Sequence, residues 1–172
     1  MIPDAPWLLD RERRCRRDGS GLTTADLLGC WRLERIWNKG SRQPASAAAV
    51  LLRGLAARLR LSAAGAGSED GELRLANSVR IGALELRFEG AARLEGRRPL
   101  LVFSFERLLL LLGGRVLIER ALPRPDPLRR PFFALIAAER PLWLAARGRG
   151  GGLALWLLEE ADGGQGAQLT AP

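Results

Sequence analysis

Leu73-Arg74-Leu75-Ala76-Asn77-Ser78-Val79-Arg80-Ile81, then Gly82-Ala83, then Leu84-Glu85-Leu86-Arg87-Phe88-Glu89 is the stretch whose pattern decides the fold. Apolar and polar side chains trade places at every residue, and the phase flips at Gly82. A period of two sends successive side chains to opposite faces of a strand, and a phase change at a glycine marks a tight hairpin. Leu73, Leu75, Val79 and Ile81 therefore share a face with Leu84, Leu86, Phe88, Ala92 and Leu94, against Arg74, Arg80, Glu85, Arg87 and Glu89. Arg97-Arg98-Pro99 supplies the next turn, and Leu101, Phe103 and Phe105 continue the inner face.

Further strands are expected near Cys30 to Trp37, Ala57 to Ala63 and Arg115 to Arg120, with the alternation running on to Trp156. The expectation is a mainly β chain whose antiparallel sheet is long enough to curl around an apolar interior, with one or two short helices. One of these covers residues 44 to 53, where Pro44 suits a first turn and Ala48, Leu51, Leu52 and Leu55 fall on one face, with Gly54 an interruption. Leu108 to Leu112 breaks the alternation. Those five leucines form either a strand buried on both faces against that helix, or an exposed apolar strip that touches a bilayer or closes over a ligand. Pro123, Pro125, Pro127 and Pro131 keep the stretch from Leu122 to Pro131 an extended loop, and Phe132-Phe133 anchors it or acts as a lid.

The domain organisation is simple. Residues 1–26 read as an N-terminal lead-in with a short helix and a helix start at Thr23 or Thr24, residues 27–160 as one β domain, and residues 161–172 as a disordered tail. At 172 residues and 18.8 kDa, a chain buries about 70% of its unfolded surface, enough for a real core without disulfide or metal. Cys15 and Cys30 either pair in an oxidising compartment or, as expected without framework spacing, remain thiols. No signal peptide is visible at Met1-Ile2-Pro3-Asp4, and no run approaches the ~20 apolar residues of a membrane-spanning helix.

Formal net charge is +8, and Lys39 is the one basic residue that is not arginine. Such a charge disfavours cationic ligands and draws the chain toward polyanions. The densest run, Arg11-Glu12-Arg13-Arg14-Cys15-Arg16-Arg17, reads first as a solvated helix, next as a membrane-surface contact and last as a nucleic-acid contact. No exposed aromatics are interleaved to stack on bases, so no specific nucleic-acid partner is expected. With no histidine in the chain, Ser-His-Asp and Cys-His nucleophile systems are impossible. Two cysteines cannot form a four-thiolate zinc site, and Gly148 to Gly152 lacks the lysine and hydroxyl residue of a phosphate loop. Glu159-Glu160 reads as a solvated face. The expectation is no enzyme, no catalytic residue, no metal and no cofactor.

Two segments resemble a known family. Leu27-Leu28-Gly29-Cys30-Trp31-Arg32-Leu33 is similar to the opening Leu-x-Gly-x-Trp-x-Leu strand of the plastid lipid-associated proteins, or fibrillins, whose Gly-x-Trp core is shared with lipocalins. Arg147-Gly148-x-x-Gly151-x-Leu153 is similar to that family's closing motif. Leu75 to Val79, Val102 to Phe105, Leu109 to Gly114 and Leu122 to Pro125 resemble its intervening strands and loop. The chain departs from the pattern at Glu34 to Trp37 and in retaining only Glu139 of an acidic cluster.

The resemblance implies a lipocalin-like antiparallel β-barrel, of a cyanobacterial type, that binds lipids or other apolar small molecules such as pigments or isoprenoids. It implies a location in the cytoplasm or peripheral to the thylakoid membrane, with an anionic membrane surface as a partner. Inward Leu84, Leu86, Phe88, Leu101, Phe103 and Phe105 would contact the ligand. Trp31 and Arg147 would meet in a cation–π clasp at the closed end, supported by Gly29, Gly148 and Gly151. Two other functions stay open. One is a bilin lyase-like chromophore-attaching enzyme on the same barrel. The other is an adaptor with a filled barrel that binds protein through the leucine strip and Trp7, Trp37 and Trp156.

Overall fold

The computed structural model describes residues 2–41, 43, 57–65 and 71–159. The helix expected over residues 44 to 53 and the tail from 161 to 172 lie outside them. The described chain runs α1 (Ala5–Asp18), α2 (Thr24–Leu27), β1 (Gly29–Trp37), β2 (Arg58–Ala63), β3 (Glu72–Ile81), β4 (Leu84–Glu95), β5 (Leu100–Leu112), β6 (Arg115–Ala121), a single 3-10 turn at Pro127–Arg129, β7 (Phe132–Glu139), β8 (Trp143–Gly148) and β9 (Leu153–Glu159).

The strands form one antiparallel sheet in the order β4-β3-β2-β1-β9-β8-β7-β5-β6, and β4 also pairs with β5. That pairing closes a ring. The seam is short on the other side of β5: only Leu100, Leu101 and Val102 pair with β7. Backbone bonds from Phe103 N–H to Pro131 O (3.1 Å) and from Leu135 N–H to Pro99 O (3.1 Å) extend it. Past the seam, β5 carries β6 instead, from Arg107 to Leu112. The far halves of β3, β4 and β5 thus run beyond the ring as a flap with β6 on its edge.

The leucine run follows a bulge and carries leucine on both faces of β5. Glu89 pairs with Arg107 but Gly90 pairs with Phe105, so Glu106 is an extra residue on β5. Such a bulge shifts the side-chain phase by one. Leu101, Phe103 and Phe105 face inward before it, and Leu108, Leu110 and Leu112 face inward after it. Leu109 and Leu111 are buried on the other face, while Leu112 is exposed, so the strip is partly buried and partly open. At Gly90 the strands come so close that a Cβ would lie 1.8 Å from the Ser104 carbonyl oxygen.

Inside the ring, Trp31, Leu33, Leu59, Leu61, Leu73, Leu75, Ala92, Leu101, Leu135, Leu144 and Trp156 form one buried cluster. A second cluster lies outside the ring, where Ala5 and Leu8 of α1 pack on Trp37, Ile136, Trp143, Ala145 and Leu155. The α1 helix is longer than the sequence suggested. Asp4 caps it by accepting from the Trp7 N–H (2.9 Å), and Pro6 suits its first turn. Its buried residues, Ala5, Leu8, Glu12 and Cys15, follow the 3-4-3 spacing of one helical face. The α2 helix begins at the expected Thr23 cap, whose N–H and hydroxyl both donate to the Asp26 carboxylate at 2.8 Å.

Candidate functional site

One end of the ring is shut. There α2 delivers Leu27, fully buried, over the start of β1, and the Trp31 indole N–H donates to the Leu27 carbonyl (2.7 Å). Arg140, in the turn between β7 and β8, stacks 6.0 Å from the Trp31 ring centroid. The same guanidinium donates to the carbonyls of Ala25 (3.1 Å), Asp26 (3.4 Å) and Leu28 (2.6 Å), capping the open carbonyls of α2.

The expected clasp between Trp31 and Arg147 is therefore corrected: Arg140 holds that place. The reason is register. Trp31 pairs with Leu158, whereas Arg147 pairs with Leu153 at the other end of β9. Five residues of strand separate those levels, roughly 17 Å at ~3.3 Å per residue. Gly29 sits at the shut end, where a Cβ would strike Leu158. Gly148 and Gly151 belong to the β8–β9 turn, tied by the Gly151 N–H to Gly148 O bond (2.8 Å).

Arg147 has a different partner. Its Nε and Nη2 donate to the two oxygens of Glu12 at 2.7 and 2.6 Å, and its Nη1 donates to the Gly151 carbonyl. Glu12 also accepts from Arg16 (3.0 Å) and Arg98 (3.1 Å), although its side chain is only 4% exposed. Burial pushes this carboxyl up, but the hydrogen bonds and charges of Arg147 and Arg16 outweigh that and hold it below the usual glutamate range. Three arginines from α1, the β4–β5 turn and β8 thus converge on one anion. Sequence reasoning treated Glu12 as part of a solvated run; its spacing from Leu8 and Cys15 was the signal that it faces inward.

At the other end of the ring β3, β4 and β5 continue as the flap. All six predicted ligand residues share the inner face of β4 and β5, but at two depths. Leu101 and Phe103 are buried in the ring core, Leu86, Phe88 and Phe105 are half-buried, and Leu84 is exposed. A string of rings joins the two levels: Phe88 to Phe105 (5.3 Å between centroids), Phe105 to Phe103 (5.3 Å), Phe103 to Phe133 (5.2 Å) and Phe133 to Trp156 (5.4 Å). Trp37 and Trp156, which the adaptor alternative places on the surface, are buried, whereas Trp7 is exposed and meets Trp143 edge-on at 5.8 Å.

On the outer face of β3–β5, a cleft of about 500 Å³ runs past Ala91, Arg93, Ser104 and Arg130. Among the six ligand residues Phe103 alone reaches it. Also outside, the carboxylate of Glu85 is buried between Arg80 (2.9 Å) and Arg87 (2.8 Å). Glu159, expected to be solvated, instead accepts from Arg58 at 2.6 Å, and that bond lowers its pKa against the effect of burial.

The chemistry of these groups is conservative. Burial raises both cysteine thiols, and they act as weak donors, Cys15 to the Ile136 carbonyl (3.0 Å) and Cys30 to Glu159 (3.4 Å). Among the described residues no cluster of three metal-ligating side chains occurs. A comparison with protein-family models returned no match for this chain, and neither did a search of curated proteins.

Proposed function

We propose that this chain is a lipocalin-like barrel that binds lipids or other apolar small molecules without transforming them, working at the periphery of a membrane. One observation carries the reading. Leu84, Leu86, Phe88 and Phe105 continue the core's inner face beyond the closed ring, and there Leu84 is exposed and the other three are only half-buried. An apolar guest lying along this face removes their surface from water, at about 25 cal/mol per Å². The likeness of the Gly29–Leu33 and Arg147–Leu153 stretches to the plastid lipid-associated proteins supports photosynthetic membranes as the setting.

Titration with a fluorescent fatty acid tests this. The wild type should saturate with an emission blue shift, and Leu86→Gln or Phe105→Ser should weaken binding by about tenfold while keeping a cooperative melt. Absence of saturable binding, or binding indifferent to both variants, overturns it. A protein-binding adaptor is the second reading. It is favoured by Leu101 and Phe103, which lie packed in the core, and it predicts no co-purifying lipid and a stable complex with another protein from the host.

A further inference from the structure

Six of the nine exposed large apolar residues, Ile81, Leu84, Leu112, Val116, Leu117 and Ile118, lie together on the flap, each between 42% and 64% exposed. They cluster because two hairpin turns end side by side. The β3–β4 turn, Ile81-Gly82-Ala83-Leu84, and the β5–β6 turn, Leu112-Gly113-Gly114, contain no charged side chain. The Gly113 N–H donates to the Ala83 carbonyl (2.8 Å), joining the two turns into one blunt tip. Gly113 and Gly114 take φ of 56° and 82°, the paired positive values of a two-residue hairpin that glycine adopts without strain.

Charge surrounds this apolar tip in an orderly way. From Val79 to Glu89 and from Arg107 to Ala121 there are five arginines and three glutamates, 5 − 3 = +2. Every glutamate is engaged: Glu85 with Arg80 and Arg87, Glu89 with Arg107 and Arg87, Glu119 with Arg107. Arg115 and Arg120 have no ion-pair partner among the described residues. Uncharged apolar turns backed by uncompensated arginines match a surface whose interior is apolar and whose rim is anionic.

We infer that this double-hairpin tip is a membrane anchor, which inserts Ile81, Leu84 and Leu112 among the lipids of an anionic bilayer while Arg115 and Arg120 lie at the phosphate level. This rests on the membrane-peripheral part of the function proposed above and names the surface responsible. Every residue of β6 is exposed, its apolar side chains standing on both faces, so a groove would cover one face and leave the other in water, whereas the interfacial layer of a bilayer surrounds both. A second copy paired edge to edge fits less well. Leu117 is an extra residue relative to β5, between Leu110–Ile118 and Leu111–Val116, and a bulge of that kind twists an edge away from further pairing. Insertion stays shallow: the unpaired backbone edge of β6 keeps that strand in the headgroup layer, where water satisfies it, and the side chains of the two turns alone reach hydrocarbon.

Co-sedimentation with phosphatidylcholine vesicles, with and without phosphatidylglycerol, tests the anchor. The wild type should bind the anionic vesicles. Ile81→Glu combined with Leu112→Glu should lower partitioning at least about tenfold without changing the melting temperature, since these side chains are already in water. Arg115→Gln should cost about fivefold on anionic vesicles and nothing on neutral ones. A polarity-sensitive fluorophore on Ala83→Cys should shift to the blue when vesicles are added. Binding that the tip variants leave intact overturns the anchor while leaving peripheral association standing. No binding by the wild type overturns both, and fatty-acid titration still reads the ligand site separately. A dimer in light scattering that the tip variants dissociate, without vesicle binding, assigns the patch to a second copy and also overturns it.

Discussion

Replacing Glu12 with alanine should detach α1 from the ring, and the size of the effect follows from the geometry. The Glu12 carboxylate takes two hydrogen bonds from Arg147 at 2.7 and 2.6 Å and one each from Arg16 and Arg98. Without it, Arg147, whose side chain is only 19% exposed, is left under the helix with its charge uncompensated. Breaking a buried pair by removing one partner costs about 3–5 kcal/mol, and the access of Arg16 and Arg98 to water argues for the lower end, about 3 kcal/mol. For a chain of this size that lowers the melting temperature by about 6–12 °C. Arg147→Met alone should cost a similar amount, and the double variant less than the sum, with a coupling of about 2 kcal/mol between the two positions. Thermal melts with a double-mutant cycle measure this. Hydrogen exchange should show faster exchange in Ala5–Asp18 before the strands respond. A Glu12→Ala protein within about 0.5 kcal/mol of wild type, or a coupling near zero, would refute the reasoning, since surface ion pairs behave in that way.

Three other outcomes are expected. Glu12, Glu85 and Glu159 are all held below the usual glutamate range, so the unfolded chain binds more protons as the solution is acidified. Their stabilisation is fully present above the unfolded value and disappears as pH falls through the depressed folded values. Urea midpoints should therefore be flat near neutrality and drop below about pH 4.5; a midpoint indifferent to acid would contradict this. Gly90→Ala must push β4 and β5 apart, because the new Cβ would lie 1.8 Å from Ser104 O. It should cost at least about 3 kcal/mol, and an unchanged melting temperature would show that the bulge is not held as described. Arg140→Met removes the donor to the Ala25, Asp26 and Leu28 carbonyls and the cation over Trp31. A loss of about 2 kcal/mol with a red shift of tryptophan emission is expected, and full rescue by Arg140→Lys would argue against a role for the planar guanidinium over Trp31.

How much was legible in the sequence depended on the range of the interaction. Side-chain alternation is a property of each strand alone, and it identifies the faces of β3, β4 and the first half of β5 and the hairpin at Gly82. The same local logic narrowed the helix start to Thr23 or Thr24, of which Thr23 is the cap. It could not sort Leu108 to Leu112, because five successive leucines carry no alternation, and which of them face inward is set by the bulge at Glu106, where Gly90 lets β4 and β5 approach. The six ligand residues were correctly assigned to one face, but their division into buried Leu101 and Phe103 and open Leu84 was not visible, since all six alternate alike.

The pairing of Trp31 with Arg147 shows the boundary most clearly. Two motifs at the ends of a β domain look like neighbours on paper, yet antiparallel order sets the β8–β9 turn beside Trp37, the far end of β1. Likewise a glutamate in an arginine run reads as solvated until α1 is laid on the sheet and Arg98 and Arg147 arrive from distant strands. The sequence by itself determined a two-sided strand chemistry and a strongly basic, histidine-free chain, because periodicity and composition need no partner. Only the tertiary structure decided which arginine meets which acid or ring and which end of the ring α2 and Arg140 close. Those outcomes depend on strand register and ring closure, which sum contacts over residues far apart in the chain.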